Sequence, residues 1–288
     1  MGTILIIADP QDRCYATPRG LELARRLGHK AEIVAFTYAN LKSLKLGASE
    51  QTSAKKKLLA DREAQVEARV AKYAKGDQKV SVKAVWSKDI NPRVIKRCQR
   101  GVDMVVKTGH RSETLTYTPT DWQLLRECPA PVLIVAERKW HKTKPILAAL
   151  DLNTKLKDKR ALNREVLRTA AAMSAALDAE LRIINALEVP VLLADLDLVN
   201  PDEYAEKQKQ EILPTITKLA AEFDLPEGAF RCKRGPVPKV ITSTAARDRA
   251  QLVVMGTVGR RGVKAKLLGN TAENVLQHLR TDVLALKP

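Results

Sequence analysis

Five short apolar runs, separated by stretches of helical periodicity, occur twice in this chain. That doubling constrains the fold more than any other feature. Thr3-Ile-Leu-Ile-Ile-Ala-Asp9 matches Pro145-Ile-Leu-Ala-Ala-Leu-Asp151, and Ala31–Phe36 matches Leu181–Ala186. Ile90–Lys96 matches Gly235–Thr242, Met104–Thr108 matches Leu252–Gly256, and Pro131–Val135 matches Asp282–Leu286. Continuous apolar strands alternating with helices predict a parallel sheet covered on both faces. The expected architecture is therefore α/β, with two tandem Rossmann-like domains, each a five-stranded parallel sheet flanked by helices. Strands are expected near 3–9, 31–37, 80–86, 103–107 and 131–136, then near 145–151, 181–187, 229–233, 251–256 and 283–287. Helices are expected near 16–27, 50–75, 92–100 and 119–127, then near 160–178, 201–224, 237–249 and 271–280. The polar stretch Glu137–Lys144 fits a linker, which divides the chain into domains 1–140 and 141–288. Asn200-Pro201 reads as an N-cap followed by proline in the first turn. Pro214 predicts a kink or break in the same helix.

Composition removes several function classes. Apolar residues make up 45% and charged residues 29%, the balance of a soluble globular chain. No apolar run is long enough for a membrane-spanning helix, and the start of the chain lacks a basic leader region, so a cytoplasmic location is expected. Cys14, Cys98, Cys128 and Cys232 are dispersed, as are the four histidines, and neither set has metal-ligand spacing. They read as ordinary reduced thiols and surface imidazoles. The net charge of +17 favours anionic partners without choosing among them. Aromatic residues are only 4%, too few for stacking platforms, and no helix-turn-helix or zinc-finger spacing occurs. Nucleic-acid binding therefore ranks below small anionic ligands.

One segment carries chemistry. Gln251-Leu252-Val253-Val254-Met255 reads as a buried strand, Gly256-Thr257-Val258-Gly259 follows it, and Gly269-Asn270-Thr271 opens a helix. Strand, glycine-rich loop and helix start is the arrangement that offers backbone N–H groups to an anion. Arg260, Arg261, Lys264 and Lys266 add positive charge within the loop. The alternative is a long turn punctuated by glycines. The loop is neither a Walker A motif nor the dinucleotide G-x-G-x-x-G, and no Ser/His/Asp set or paired carboxylates stand out. Binding is thus expected ahead of turnover.

The whole chain resembles the universal stress protein family in its tandem, E-type form. The resemblance rests on the doubled α/β pattern and on Gly256, Gly259 and Gly269, which fit the Gly-x2-Gly-x9-Gly-(Ser/Thr) motif of ATP-binding members. It implies a stress-response protein whose second domain binds ATP or a related adenine nucleotide, with Mg²⁺ left open and slow hydrolysis within the family's range. Asn270 stands where those members carry Ser or Thr; it can cap a helix and bond a phosphate oxygen but supplies no hydroxyl. The implied phosphate contacts are Gly256, Gly259, Arg260, Gly269, Asn270 and Thr271, with Asp151 and Ala186 on the adenosine side. An open α/β sheet also puts its ligand outside the carboxyl ends of its strands.

The first half departs from the motif. Thr108 stands opposite Gly256, Arg111 opposite Gly259 and Thr118 opposite Gly269, in a shorter loop. That half is expected not to bind nucleotide and to serve as a structural or partner domain. Resemblance to single-domain relatives implies a pseudo-dimer of the two halves within one chain, with a homodimer and an unknown protein partner left open. A second reading is a carrier or sensor of an apolar or amphiphilic ligand, suggested by the apolar connection Val189–Val199.

Overall fold

The computed structural model describes residues 1–10, 14–45, 47–110, 119–190, 192, 196, 198–257 and 269–287. It divides into two compact units, Met1–Arg138 and Lys139–Pro288.

In the first unit the strands are β1 (Thr3–Ala8), β2 (Lys30–Thr37), β3 (Val80–Trp86), β4 (Met104–Thr108) and β5 (Val132–Val135). The helices are α1 (Ala16–Arg26), α2 (Ala48–Tyr73), α3 (Asn91–Cys98) and α4 (Pro119–Glu127). All pairings are parallel and the spatial order is β3-β2-β1-β4-β5. In the second unit the strands are β6 (Ile146–Leu150), β7 (Leu181–Leu187), β8 (Phe230–Arg234), β9 (Leu252–Gly256) and β10 (Asp282–Leu286). Its helices are α5 (Lys157–Leu177), α6 (Pro201–Glu222), α7 (Val237–Arg247) and α8 (Asn270–His278). The order β8-β7-β6-β9-β10 repeats that of the first unit, again all parallel.

The strands form where the sequence is apolar on both faces. β4, β5 and β10 are buried at every position, as parallel strands covered by helices must be. β3 and β8 mix exposed and covered positions. Among the described residues no helix is long and apolar enough to cross a membrane.

Two local expectations can be compared. Asn200 caps α6, its Oδ1 accepting from the backbone N–H of Asp202 at 2.9 Å and of Glu203 at 3.4 Å. The break expected at Pro214 does not occur, since α6 runs through it. Proline removes the N–H that would reach the carbonyl of Gln210, but both residues lie on the exposed face, where water can satisfy that oxygen. Ile212 and Ile216, buried at 4% and 5% exposure, hold the helix on either side.

Candidate functional site

In the second unit the strand order reverses between β6 and β9, the position where an open α/β sheet leaves a crevice at its carboxyl edge. Ala149 pairs with Met255 and Leu150 with Asn185, so Asp151, Ala186 and Gly256 fall within one row of that edge. These residues are far apart in sequence, and register alone aligns them. The Asp151 side chain is 50% exposed, and its Oδ2 accepts from Lys159 Nζ at 3.2 Å. Its backbone is held by Asn163, whose Oδ1 accepts from Asp151 N at 3.1 Å and whose Nδ2 donates to Asp151 O at 2.7 Å. Asn185, buried in β7, takes the N–H of Leu152 at 2.8 Å and donates to Asn153 Oδ1 at 3.0 Å. The turn after β6 is thus fixed by amides while the Asp151 carboxylate faces solvent.

At β9, Thr257 donates from N and from Oγ1 to Leu286 O, both at 2.9 Å, and its own carbonyl accepts from Gly269 N at 3.2 Å. These bonds join the two ends of the glycine loop. Gly259 and Arg260 lie outside the described residues. Gly269 is the N-cap of α8, with extended backbone (φ −68°, ψ 141°) and no side-chain cap. Asn270, a residue type able to cap, is here the first residue of the helix, because the extended conformation falls one residue earlier. Asn270 and Thr271 are exposed there, at the end of the helix dipole that favours anions.

Gly256 has a packing role that the sequence did not disclose. A Cβ at this position would lie 2.5 Å from Leu162 Cδ2 and 2.9 Å from its Cγ, so the absent side chain lets α5 close on β9.

The first unit fills the equivalent place with its own side chains. Asp9 follows β1 as Asp151 follows β6, but its side chain is only 2% exposed. Thr108, standing where the second unit has Gly256, donates its hydroxyl to Asp9 Oδ2 and accepts from Ala16 N at 2.9 Å. His110 Nε2 lies 3.1 Å from Asp9 Oδ1, and its Nδ1 lies 2.8 Å from Glu137 Oε1. From α2, Arg62 donates to the carbonyls of Ala8 (3.2 Å) and Asp9 (2.6 Å), and Arg69 donates to Asp9 O at 3.3 Å. Burial alone would raise the Asp9 pKa. The hydrogen bonds from His110 and Thr108 outweigh it and hold the carboxyl below its ordinary range. The Asp9 hydrogen bond raises the His110 pKa, since a cation there faces two carboxylates. Sequence reasoning missed His110, Glu137, Arg62 and Arg69; only the repeat of Asp9 at the end of strand one hinted at the cluster. Beside it, Lys107 Nζ bonds Asp121 Oδ1 at 2.6 Å, with side chains 6% and 0% exposed.

A further feature of the second unit is a cleft of about 590 Å³ between α5 and α6. Leu152 and Leu219 line it, and Lys157, Arg160 and Lys218 stand on its walls. Arg164, also on the wall, pairs with Glu222 at 3.0 Å. The described part of the 189–199 connection does not line it: Leu192, Leu196 and Leu198 are 69%, 59% and 66% exposed. Among the described residues no group of three His, Cys, Asp or Glu is placed to hold a metal ion.

Comparison with known proteins adds four findings. The model of the universal stress protein family matches residues 142–287. The chain is 30% identical to Universal stress protein E of Escherichia coli K12, over 99% of this chain and 93% of that one. It is 27% identical to the Universal stress protein E homolog of Haemophilus influenzae, over 99% and 97%. Among solved structures, a functionally unknown protein from Pseudomonas aeruginosa superposes with a TM-score of 0.74 at 26% identity, covering 99% of this chain and 92% of that one.

Proposed function

The chain belongs to the universal stress protein family, and from that membership, which supports a stress-response role, we propose that its second unit binds an adenine nucleotide. The observation that carries this reading is the contrast between the two units. At equivalent positions, Asp9 is enclosed by Thr108, His110 and Arg62, whereas Asp151 opens to solvent beside Gly256 and an α8 N-terminus without a side-chain cap. In this reading the phosphates lie against the first N–H groups of α8, near Asn270 and Thr271, with Gly259 and Arg260 of the loop adding contacts. The adenosine lies along Asp151 and Ala186. Mg²⁺, if present, rides with the phosphates. The chemistry supported is binding, with the first unit as structural partner.

Gly256→Val is a poor test, because the new side chain would push on Leu162. Asn270→Asp is better. An acid in the first turn suits a helix, so folding is preserved, but its charge repels a triphosphate. Calorimetric titration with ATP, with and without Mg²⁺, should show Asp151→Ala and Asn270→Asp each weakening binding roughly tenfold or more. Absence of wild-type binding at millimolar ATP would sink the reading.

The cleft between α5 and α6 favours a second reading, an amphiphilic anion whose chain covers Leu152 and Leu219 and whose head meets Lys157, Arg160 or Lys218. Dodecyl phosphate is the probe. Lys218→Glu, an exposed change on the cleft wall, should weaken its saturable binding at least tenfold and leave ATP affinity unchanged. Equal loss of both ligands, or no wild-type binding of dodecyl phosphate, counts against the cleft.

A further inference from the structure

Cys98 and Cys128 read from the sequence as two dispersed thiols. In the fold they touch. Cys98 is the last residue of α3, and Cys128 follows the end of α4, its N–H donating to Leu124 O at 3.0 Å. Helices α3 and α4 pack on one another and bring the two Sγ atoms to 3.4 Å. Both residues are buried, Cys98 at 7% exposure and Cys128 at 0%. The other two cysteines have different surroundings: Cys14 Sγ lies 3.1 Å from Thr17 Oγ1, and Cys232 is half-buried on the outer strand β8.

The end of α3 is also anchored. Arg97 donates to Glu32 of β2 from Nε at 2.9 Å to each carboxylate oxygen, and from a terminal nitrogen at 2.6 Å. Cys98 therefore sits next to an anchored residue, and its sulfur is already within 3.4 Å of that of Cys128. Two buried cysteines used merely as small apolar fillers have no need of mutual contact.

We propose that Cys98 and Cys128 form a reversible oxidation site, a dithiol that closes to a disulfide on reaction with a hydroperoxide and so ties α3 to α4. In the first step the thiolate of Cys98, the more exposed of the two residues, attacks the outer oxygen of ROOH. The O–O bond breaks, ROH leaves after taking up a proton, and Cys98 becomes a sulfenic acid. In the second step the Cys128 sulfur attacks that of Cys98, its proton leaves with the hydroxyl as water, and the S–S bond forms. Two thiols lose two electrons and the peroxide gains them. Contact with Cys128 and burial push the Cys98 thiol well above its ordinary pKa, so reaction at neutral pH is slow and follows transient opening of the α3–α4 contact.

The test uses the full chain. The reduced protein is treated with graded hydrogen peroxide, blocked with iodoacetamide and mapped without reduction; Cys232 serves as the internal gauge of dose. The expected result is a peptide pair joining Cys98 to Cys128, two hydrogens lighter than the reduced pair and released by dithiothreitol. Melting of the first unit should rise by roughly 5 °C or more on oxidation. Cys98→Ser should remove the linked pair while leaving Cys232 oxidation unchanged. Recovery of Cys98 and Cys128 as alkylated thiols or sulfinic acids, at doses that consume Cys232, would overturn the proposal. Mapping of the wild type decides even if the serine variant does not fold.

Discussion

Asp121→Ala is expected to destabilise the first unit by about 3–5 kcal/mol, and Lys107→Met combined with Asp121→Ala to restore most of that loss. The single change strands an ammonium that is 6% exposed and leaves it the carbonyl of Thr108 at 2.9 Å. An uncompensated charge in so little water costs several kcal/mol, far more than the pair itself contributes. The double change follows the chain's own second solution to the same position. The internal repeat sets Met255 opposite Lys107 and Ala272 opposite Asp121, and both are buried apolar residues in the second unit. Hydrogen exchange of the β4 amides in the full chain reads the first unit separately from the second. A cost below about 1 kcal/mol for Asp121→Ala, or a double variant no better than the single, would show that the pair is not the keystone described.

The second large effect concerns His110. Its two ring nitrogens face carboxylates, Asp9 at 3.1 Å and Glu137 at 2.8 Å, so both can be satisfied only when both carry a proton. The Asp9 bond raises the His110 pKa above 6.5, while nearby Lys107 opposes it. The stability from this group is complete below pH 6.5 and is lost as pH rises through the raised folded value. Asp9 acts in the opposite direction. Its folded pKa is lowered below 3.8, so its contribution is present above that pH and disappears as pH falls through the lowered value. The joint optimum lies between roughly pH 4 and 6.5. Within that window His110→Gln should cost the first unit about 2 kcal/mol, with the difference from wild type shrinking through mildly alkaline pH. Thr108 and Cys14 also bond Asp9 and remain in the variant, so the change isolates the imidazolium. A pH-independent difference would show that His110 fills space rather than carrying charge.

Periodicity was enough to place the strands. β1 and β6 are apolar runs each followed by an aspartate, and the doubled alternation of strand and helix predicted a parallel sheet in each unit; the strand order came from the structure. The start of α8, expected near residue 271, was also legible to within a residue. That Gly269 rather than Asn270 is the cap was not legible, because a cap is defined by backbone angles, which composition does not report. Of the kink or break expected at Pro214, the break is absent, because the cost of a missing N–H depends on whether the orphaned carbonyl meets water. Gly256 was read as space for a ligand; its packing against Leu162 depends on the distance between α5 and β9.

The amino-acid sequence by itself determined the two α/β units, their internal equivalence and the asymmetry of the glycine loop. These follow from hydrophobic period and backbone propensity, which act over a few residues at a time. Tertiary structure alone decided that Asp9 is enclosed while Asp151 is open, that Lys107 meets Asp121, and that Cys98 touches Cys128. Each of these depends on side chains from separate strands and helices arriving at one place. There, burial sets the cost of every charge and the worth of every hydrogen bond.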